Sequence, residues 1–91
     1  MNLSFTSRFQ KQLQRLVKRD PKLTRQVEKT LQYLRAFPPA HPSLRMKRIQ
    51  GTDAVYECSV NMTVRITFAF GENDAIVLRN IDLHDDALKA Y

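Results

Sequence analysis

The sequence predicts an α+β domain in which an N-terminal helical hairpin packs on one face of a small, twisted, mostly antiparallel sheet. Three observations lead to this fold class. Apolar residues recur at helical spacing in the first third, prolines interrupt the chain at residues 38–42, and β-branched and aromatic residues dominate later segments. A chain of 91 residues with 43% hydrophobic side chains suits one hydrophobic core. We therefore treat residues 1–91 as one domain.

Two helices are predicted between residues 8 and 37, after a very short strand at residues 3–5. The first helix begins near Arg8, just after the capping residues Thr6 and Ser7, and ends at Asp20. Asp20 followed by Pro21 also begins the second helix, which runs to Phe37, where the prolines stop it. The apolar stripes comprise Phe9, Leu13, Leu16 and Val17 in the first helix and Leu23, Val27, Leu31 and Leu34 in the second.

Four further strands are predicted after the proline segment. A basic strand runs over residues 44–49 and ends at Gly51, a hairpin follows at residues 55–60 and 64–70, and a last strand covers residues 75–81. The last ten residues read as a polar tail or a short helix. Strand alternation turns Tyr56, Cys58, Val60, Val64, Ile66, Phe68 and Phe70 toward the helices, and Glu57, Ser59, Arg65 and Thr67 toward an opposite, partly open face.

The charge of the chain is large and unevenly distributed. The net charge is +6 and the isoelectric point is near 9.9. Residues 1–50 carry twelve basic and two acidic side chains, whereas residues 51–91 carry three basic and seven acidic ones. A polyanionic partner such as RNA, DNA or an acidic protein segment should therefore bind the first half.

The cysteine and apolar content indicate a cytoplasmic protein. Cys58 is the lone cysteine and cannot form an internal disulfide, and no charged-then-apolar leader opens the chain. The longest uncharged stretch, residues 66–71, is far shorter than the roughly 20 residues that a membrane-spanning helix needs. Cys58, His41 and His84 have no recognisable metal-ligand spacing, so we expect neither a metal nor another cofactor.

The order of elements and three segments resemble the RelE/ParE superfamily of bacterial toxins. The opening LSFT at residues 3–6 is similar to the family's strand leading into a helix. The pair YECSV at residues 56–60 and VRITF at residues 64–68 resembles the family's strand pair, in which an arginine opens the second strand. The stretch IVLRNIDLHD at residues 76–85 resembles the last strand and the histidine-containing end of YafQ-like members.

This resemblance implies a type II toxin that cleaves messenger RNA in the ribosomal decoding site, with an antitoxin whose segment wraps the toxin. It also implies a heterotetramer or larger complex with that antitoxin. The implied cleavage is metal-independent attack of a 2′-hydroxyl on the adjacent phosphorus. It needs groups that activate the hydroxyl, stabilise phosphate charge and protonate the leaving oxygen.

The resemblance assigns two candidate catalytic residues, and two more are candidates by their position or chemistry. Arg65 matches the family arginine and would hold a phosphate, unless it pairs with Glu57 across the strands. His84 matches the terminal histidine and would donate a proton to the leaving oxygen, unless it is a surface or capping histidine. Arg79 would bind phosphate or form a structural ion pair. Glu57 is chemically able to serve as the general base, unless it is simply an exposed strand glutamate. RelE has lysines where this sequence has Glu57 and Ser59.

Candidate RNA-binding residues lie on the basic strand and the helices. Arg45, Lys47 and Arg48 resemble the family's basic strand, and Tyr91 would stack on a base, whereas Tyr56 is interpreted as a core residue. Lys18, Arg19 and Lys22 are expected to contact ribosomal RNA. Two other functions remain open: a ParE-like inhibitor of DNA gyrase, and a non-catalytic basic RNA-binding module or degenerate toxin.

Overall fold

The computed structural model describes residues 2–36, 42–52 and 54–83 and contains two helices on a five-stranded mixed sheet. The elements are β1 (Asn2–Phe5), α1 (Ser7–Arg19), α2 (Leu23–Arg35), β2 (Lys47–Arg48), β3 (Val55–Ser59), β4 (Val64–Phe70) and β5 (Ala75–Leu83). The strand order is β1-β5-β4-β3-β2, and β1 runs parallel to β5 while the other neighbours are antiparallel. The predicted fold class is confirmed.

The first helix begins one residue earlier than predicted because Thr6 caps it. The Thr6 side chain accepts a hydrogen bond from the Phe9 amide at 3.1 Å, and α1 then ends at Arg19 as expected. The start of the second helix was predicted too early. Asp20 Oδ1 accepts from the Lys22 amide in a turn, so α2 begins only at Leu23, without a side-chain cap. The predicted end at Phe37 lies outside the described residues.

The prediction of a strand over residues 44–49 was wrong in extent. A 3-10 turn occupies Pro42–Leu44, the Leu44 side chain is buried in the core, and only Lys47–Arg48 pair with β3. The physical reason is local: Arg45 adopts a positive φ of 46° at the end of the 3-10 turn, and this turns the chain away from an extended path. At the other end of the chain, β5 extends two residues beyond the predicted limit, to Leu83.

One hydrophobic core lies between the helices and the sheet. Both predicted helical stripes and the predicted inward residues of β3 and β4 contribute to this core, including half-buried Tyr56. Phe70 lies on the same face but is 39% exposed, with its ring against Tyr56 and Phe68. The fully buried part comprises Phe9, Leu34, Leu44, Cys58, Ile66, Phe68, Ile76, Leu78 and Ile81. The described part of the chain has no helix long and apolar enough to span a membrane.

Candidate functional site

Polar side chains form two cross-strand rows on the outer face of the sheet, which is the face opposite the helices. The register places Lys47, Glu57, Thr67 and Asn80 in one row and Ser59, Arg65 and Asp82 in the next. This confirms the faces predicted from strand alternation. The expected openness of this face is wrong at its centre, because Glu57 is 4% exposed, Thr67 0% and Asn80 2%. Alternation assigns a face but carries no information on solvent access.

Arg65 stands on the outer face of the central strand β4, between Ser59 on β3 and Asp82 on β5. Its Nη1 donates to the carbonyl oxygens of Asn61 at 2.5 Å and Val64 at 3.2 Å, which holds the half-buried guanidinium against the β3–β4 turn. A guanidinium carries five N–H donors, so these two bonds leave Nη2 and Nε for other acceptors. The pairing of Arg65 with Glu57, considered above as an alternative, is replaced by this contact with the turn.

Glu57 instead forms an ion pair with Lys47. Lys47 Nζ lies 3.5 Å from Glu57 Oε1, and the two side chains are 71% and 5% exposed, respectively. Glu57 Oε2 has no hydrogen-bond partner among the described residues. The interpretation of Glu57 as an exposed strand glutamate is therefore wrong. The pair presents its ammonium group to solvent and keeps its carboxylate inside.

Buried Cys58 lies next to Glu57 in the sequence, on the opposite face of β3. The pKa of the Cys58 thiol is raised to about 12, chiefly by burial and also by the charge of Glu57, while the charge of Arg65 lowers it. Cys58 is therefore a protonated core side chain at neutral pH and is no candidate nucleophile.

Arg79 occupies an irregular position in β5. Thr67 pairs with Asn80, and the next β4 residue, Phe68, pairs with Leu78, so Arg79 is an extra residue that forms a β-bulge. Thr6 Oγ1 donates to the carbonyls of Leu78 at 3.0 Å and Arg79 at 3.1 Å. The same hydroxyl that caps α1 therefore fixes this bulge, and the Arg79 side chain is exposed.

The end of β5 is held by Gln12, which the sequence interpretation missed. Gln12 is 6% exposed, and its Oε1 accepts a hydrogen bond from the Ile81 amide at 3.0 Å. β1 pairs only with residues 75–78, so Gln12 replaces a strand neighbour beside the second half of β5. A cavity of about 80 Å³ beside this contact is lined by Gln12, Arg15, Leu16, Arg19 and Asp82. The available sequence signal was a polar residue one position before Leu13, within the apolar stripe of α1.

The basic candidates lie on separate surfaces. Arg45, Lys47 and Arg48 are exposed, but the register turns Lys47 to the outer face and Arg48 to the helix side, so the basic strand does not present one charged face. Lys18, Arg19 and Lys22 are exposed around the end of α1. His84 and Tyr91 lie outside the described residues, as does His41. Within residues 2–36, 42–52 and 54–83, no group of three or more His, Cys, Asp or Glu side chains is placed to hold a metal ion.

Solved structures with this architecture include several bacterial toxins. A YoeB/ParE toxin from Agrobacterium tumefaciens superposes with a TM-score of 0.78 at 12% identity, covering 92% of this chain and 99% of its own. YafQ in the E. coli DinJ–YafQ toxin–antitoxin complex gives 0.77 at 10% identity, covering 93% of each chain. The chain has the RelE-like toxin fold.

A third neighbour, a metal-bound toxin from Helicobacter pylori, gives a TM-score of 0.69 at 19% identity and covers 94% of this chain and 97% of its own. Comparisons with protein-family models and with curated protein sequences return no match. The resemblance noted in the sequence is therefore confirmed by three-dimensional structure, at identities where the shared property is the fold.

Proposed function

We propose that this protein is the toxin of a type II toxin–antitoxin system and that it cleaves messenger RNA on the ribosome. The observation that carries the proposal is Arg65, which lies on the outer face near the start of the central strand β4, with its guanidinium anchored by the β3–β4 turn. A fixed guanidinium can bind a phosphate through two parallel hydrogen bonds and stabilise the charge that develops during cleavage.

The proposed reaction is metal-independent transesterification. The 2′-hydroxyl oxygen attacks the adjacent phosphorus, the bond to the 5′-oxygen breaks, and the products carry a 2′,3′-cyclic phosphate and a 5′-hydroxyl. His84 donates the proton to the departing 5′-oxygen, and Arg65 and Arg79 bind the phosphate. Glu57 is the proposed base for the 2′-hydroxyl. Its burial beside Lys47 means that Glu57 reaches RNA only if this part of the face opens.

Ribosome and antitoxin are the proposed partners. The exposed cations Lys18, Arg19 and Lys22 would contact ribosomal RNA, while Arg45, Lys47, Arg48 and Tyr91 would contact the messenger. An antitoxin partner is supported by the E. coli YafQ neighbour, which was solved together with DinJ. We propose a cytoplasmic complex of toxin and antitoxin that is a heterotetramer or larger.

Primer extension on messenger RNA from cells that briefly express each variant tests the reaction. We expect wild-type cuts within translated codons, and loss of the cuts in Arg65→Ala and in His84→Ala. Arg8→Ala is the matched control, because it removes an exposed arginine of α1 that lies outside the proposed site. Growth arrest without cuts would redirect the proposal to gyrase, and absence of arrest would favour a binding protein or a degenerate toxin.

A second experiment tests the attacking group. A messenger with a single 2′-deoxynucleotide at the mapped cut site is translated with purified ribosomes and toxin. The proposed reaction requires that this site is no longer cut while neighbouring ribonucleotide sites still are. Cleavage at the 2′-deoxy position would refute 2′-hydroxyl attack. Charge reversal of Lys18, Arg19 and Lys22 should weaken ribosome binding more at low salt than at high salt.

A further inference from the structure

Strand β2 is shorter than β3, so the last residue of β3, Ser59, has no β2 residue beside it. The Ile49 amide donates to the Val55 carbonyl, and the Val60 amide donates to the Val64 carbonyl. The main-chain amide and carbonyl groups of odd-numbered β3 residues therefore point toward β2, and those of even-numbered residues point toward β4. Ser59 therefore directs its amide and carbonyl toward the free edge. Continuing the pairing of Lys47 with Glu57 would place Arg45 opposite Ser59.

Arg45 does not complete this pairing, because its positive φ of 46° ends the extended chain. A groove lies along the resulting gap and consists of two adjoining cavities that share Ser59 and Val60. One cavity, of about 290 Å³, reaches α2 at Gln26, Lys29 and Tyr33. The other, of about 300 Å³, reaches Arg45, Asn61 and Met62. We call these two cavities the edge groove. Each approaches the lower size limit of small-molecule sites, roughly 300 Å³.

The edge groove carries positive charge in both of its cavities. Exposed Lys29 lines one cavity and exposed Arg45 lines the other, and none of the described residues that line the groove is acidic. Lys29 Nζ lies 5.9 Å from the centroid of the Tyr33 ring, which keeps the ammonium group at the groove wall. The Ser59 amide adds a main-chain donor of the kind that binds phosphate oxygens.

The groove also joins the candidate site. Ser59 is the cross-strand neighbour of Arg65, and Arg65 Nη1 is bonded to the Asn61 carbonyl. Asn61, which lines one cavity, in turn donates from Nδ2 to Oε1 of Gln26, which lines the other, at 2.8 Å, and this bond links α2 to the β3–β4 turn. A strand of RNA whose phosphate lies on Arg65 can therefore continue into the groove without crossing an acidic surface.

We infer that the edge groove is a second subsite for single-stranded RNA, in which Lys29, Arg45 and the Ser59 amide bind phosphates flanking the one at Arg65. This inference rests on the proposed function for its biological setting. A β-strand of a protein partner fits less well, because one residue of free edge offers too few main-chain groups for a ladder. Cationic walls around a short polar edge suit a phosphodiester chain better.

Fluorescence anisotropy with a labelled, uncleavable hexanucleotide of 2′-O-methyl RNA tests the subsite without requiring catalysis. The test variant combines Lys29→Gln, which keeps helix propensity, with Arg45→Asn, which tolerates the left-handed backbone. The control combines Arg8→Gln and Lys11→Gln, which removes the same charge from the first turns of α1. At low salt, we expect the RNA affinity of the groove variant to fall by at least about fivefold and that of the control to fall by less than about twofold.

The salt dependence provides a second readout from the same titrations. Loss of two phosphate contacts should reduce the slope of log K against log salt by about 1.4, since each contact to a single strand contributes about 0.7. Equal losses in the groove variant and the control would show nonspecific attraction and overturn the inference. Unchanged RNA affinity together with lost binding of a labelled acidic peptide would assign the groove to a protein partner and also overturn it.

Amide chemical shifts locate the contact directly and do not depend on a substitution. On titration of wild-type protein with the same RNA, the largest shifts are expected at Ser59, Asn61 and Lys29. Shifts confined to α1 would overturn the inference. The outcomes separate the two proposals: RNA binding in the groove without messenger cleavage in cells would retain the subsite and refute the proposed enzyme. Messenger cleavage in cells without RNA contact in the groove would retain the proposed enzyme and refute the subsite.

Discussion

Replacing Gln12 with methionine should destabilise the protein by removing one buried hydrogen bond. Gln12 Oε1 accepts from the Ile81 amide at 3.0 Å, the Gln12 residue is 6% exposed, and Ile81 is fully buried. Methionine has a similar shape and helix propensity, so the main effect is an unsatisfied amide in a site closed to water. Such a loss costs about 1–3 kcal/mol of the free energy of unfolding.

Urea unfolding followed by circular dichroism measures this change, and thermal unfolding provides a check. In a domain of this size, each 1 kcal/mol lowers Tm by about 4–8 °C. The matched control is Gln14→Met, which makes the same chemical change at an exposed position of the same helix and should stay within about 0.5 kcal/mol of wild type. The Ile81 amide should also exchange with solvent faster in Gln12→Met. Equal stability of the two variants would refute the assigned role of Gln12.

Three further changes test the site and its supports. Thr6→Ala should lower the free energy of unfolding by about 1–2 kcal/mol, because it removes the α1 cap and the hydrogen bond that the hydroxyl shares between two carbonyls of the β5 bulge. Thr6→Ser should retain most of this stability in the same urea assay. In a double-mutant cycle, Lys47→Met should lower the free energy of unfolding by about 1 kcal/mol more in the wild type than in Glu57→Gln, because in the wild type it leaves a buried carboxylate unpaired. Additive effects would contradict the pairing. Cys58 in the folded protein should resist iodoacetamide at pH 8 and react in urea. The unfolded thiol ionises near pH 9 and the folded thiol near pH 12. As pH rises between these values, the free energy of unfolding of the wild type should therefore fall relative to that of Cys58→Ala.

The elements of the fold were predictable where local sequence signals agree with burial. The apolar stripe that includes Phe9 and Leu13 fixed α1, and the alternation around Cys58 and Ile66 fixed the inward faces of β3 and β4. The predicted extent of the strand at residues 44–49 was wrong because alternation alone cannot distinguish a short strand from a 3-10 turn that buries Leu44. The positive φ of Arg45 could not be predicted, because arginine is not a residue type that indicates a left-handed backbone.

The candidate site was predictable in its faces but not in its contacts. Alternation placed Glu57 and Arg65 on one face, as the register confirms. It could not give the partner of either residue, because the Lys47 ammonium and the Asn61 carbonyl reach them only after the strands assemble. The roles of His84 and Tyr91 remain predictions that concern positions beyond the described residues.

The sequence by itself determined the layer arrangement, the single core and the concentration of positive charge in the first half, since these follow from local periodicity and composition. Only the tertiary structure decided that Glu57 is buried, that Gln12 completes the edge of β5 and that Ser59 lies beyond the residues of β3 that pair with β2. The physical reason is that solvent access and hydrogen-bond partners depend on strand register and on segments distant in the chain. Residue type and spacing constrain each segment separately and leave those pairings to the assembled sheet.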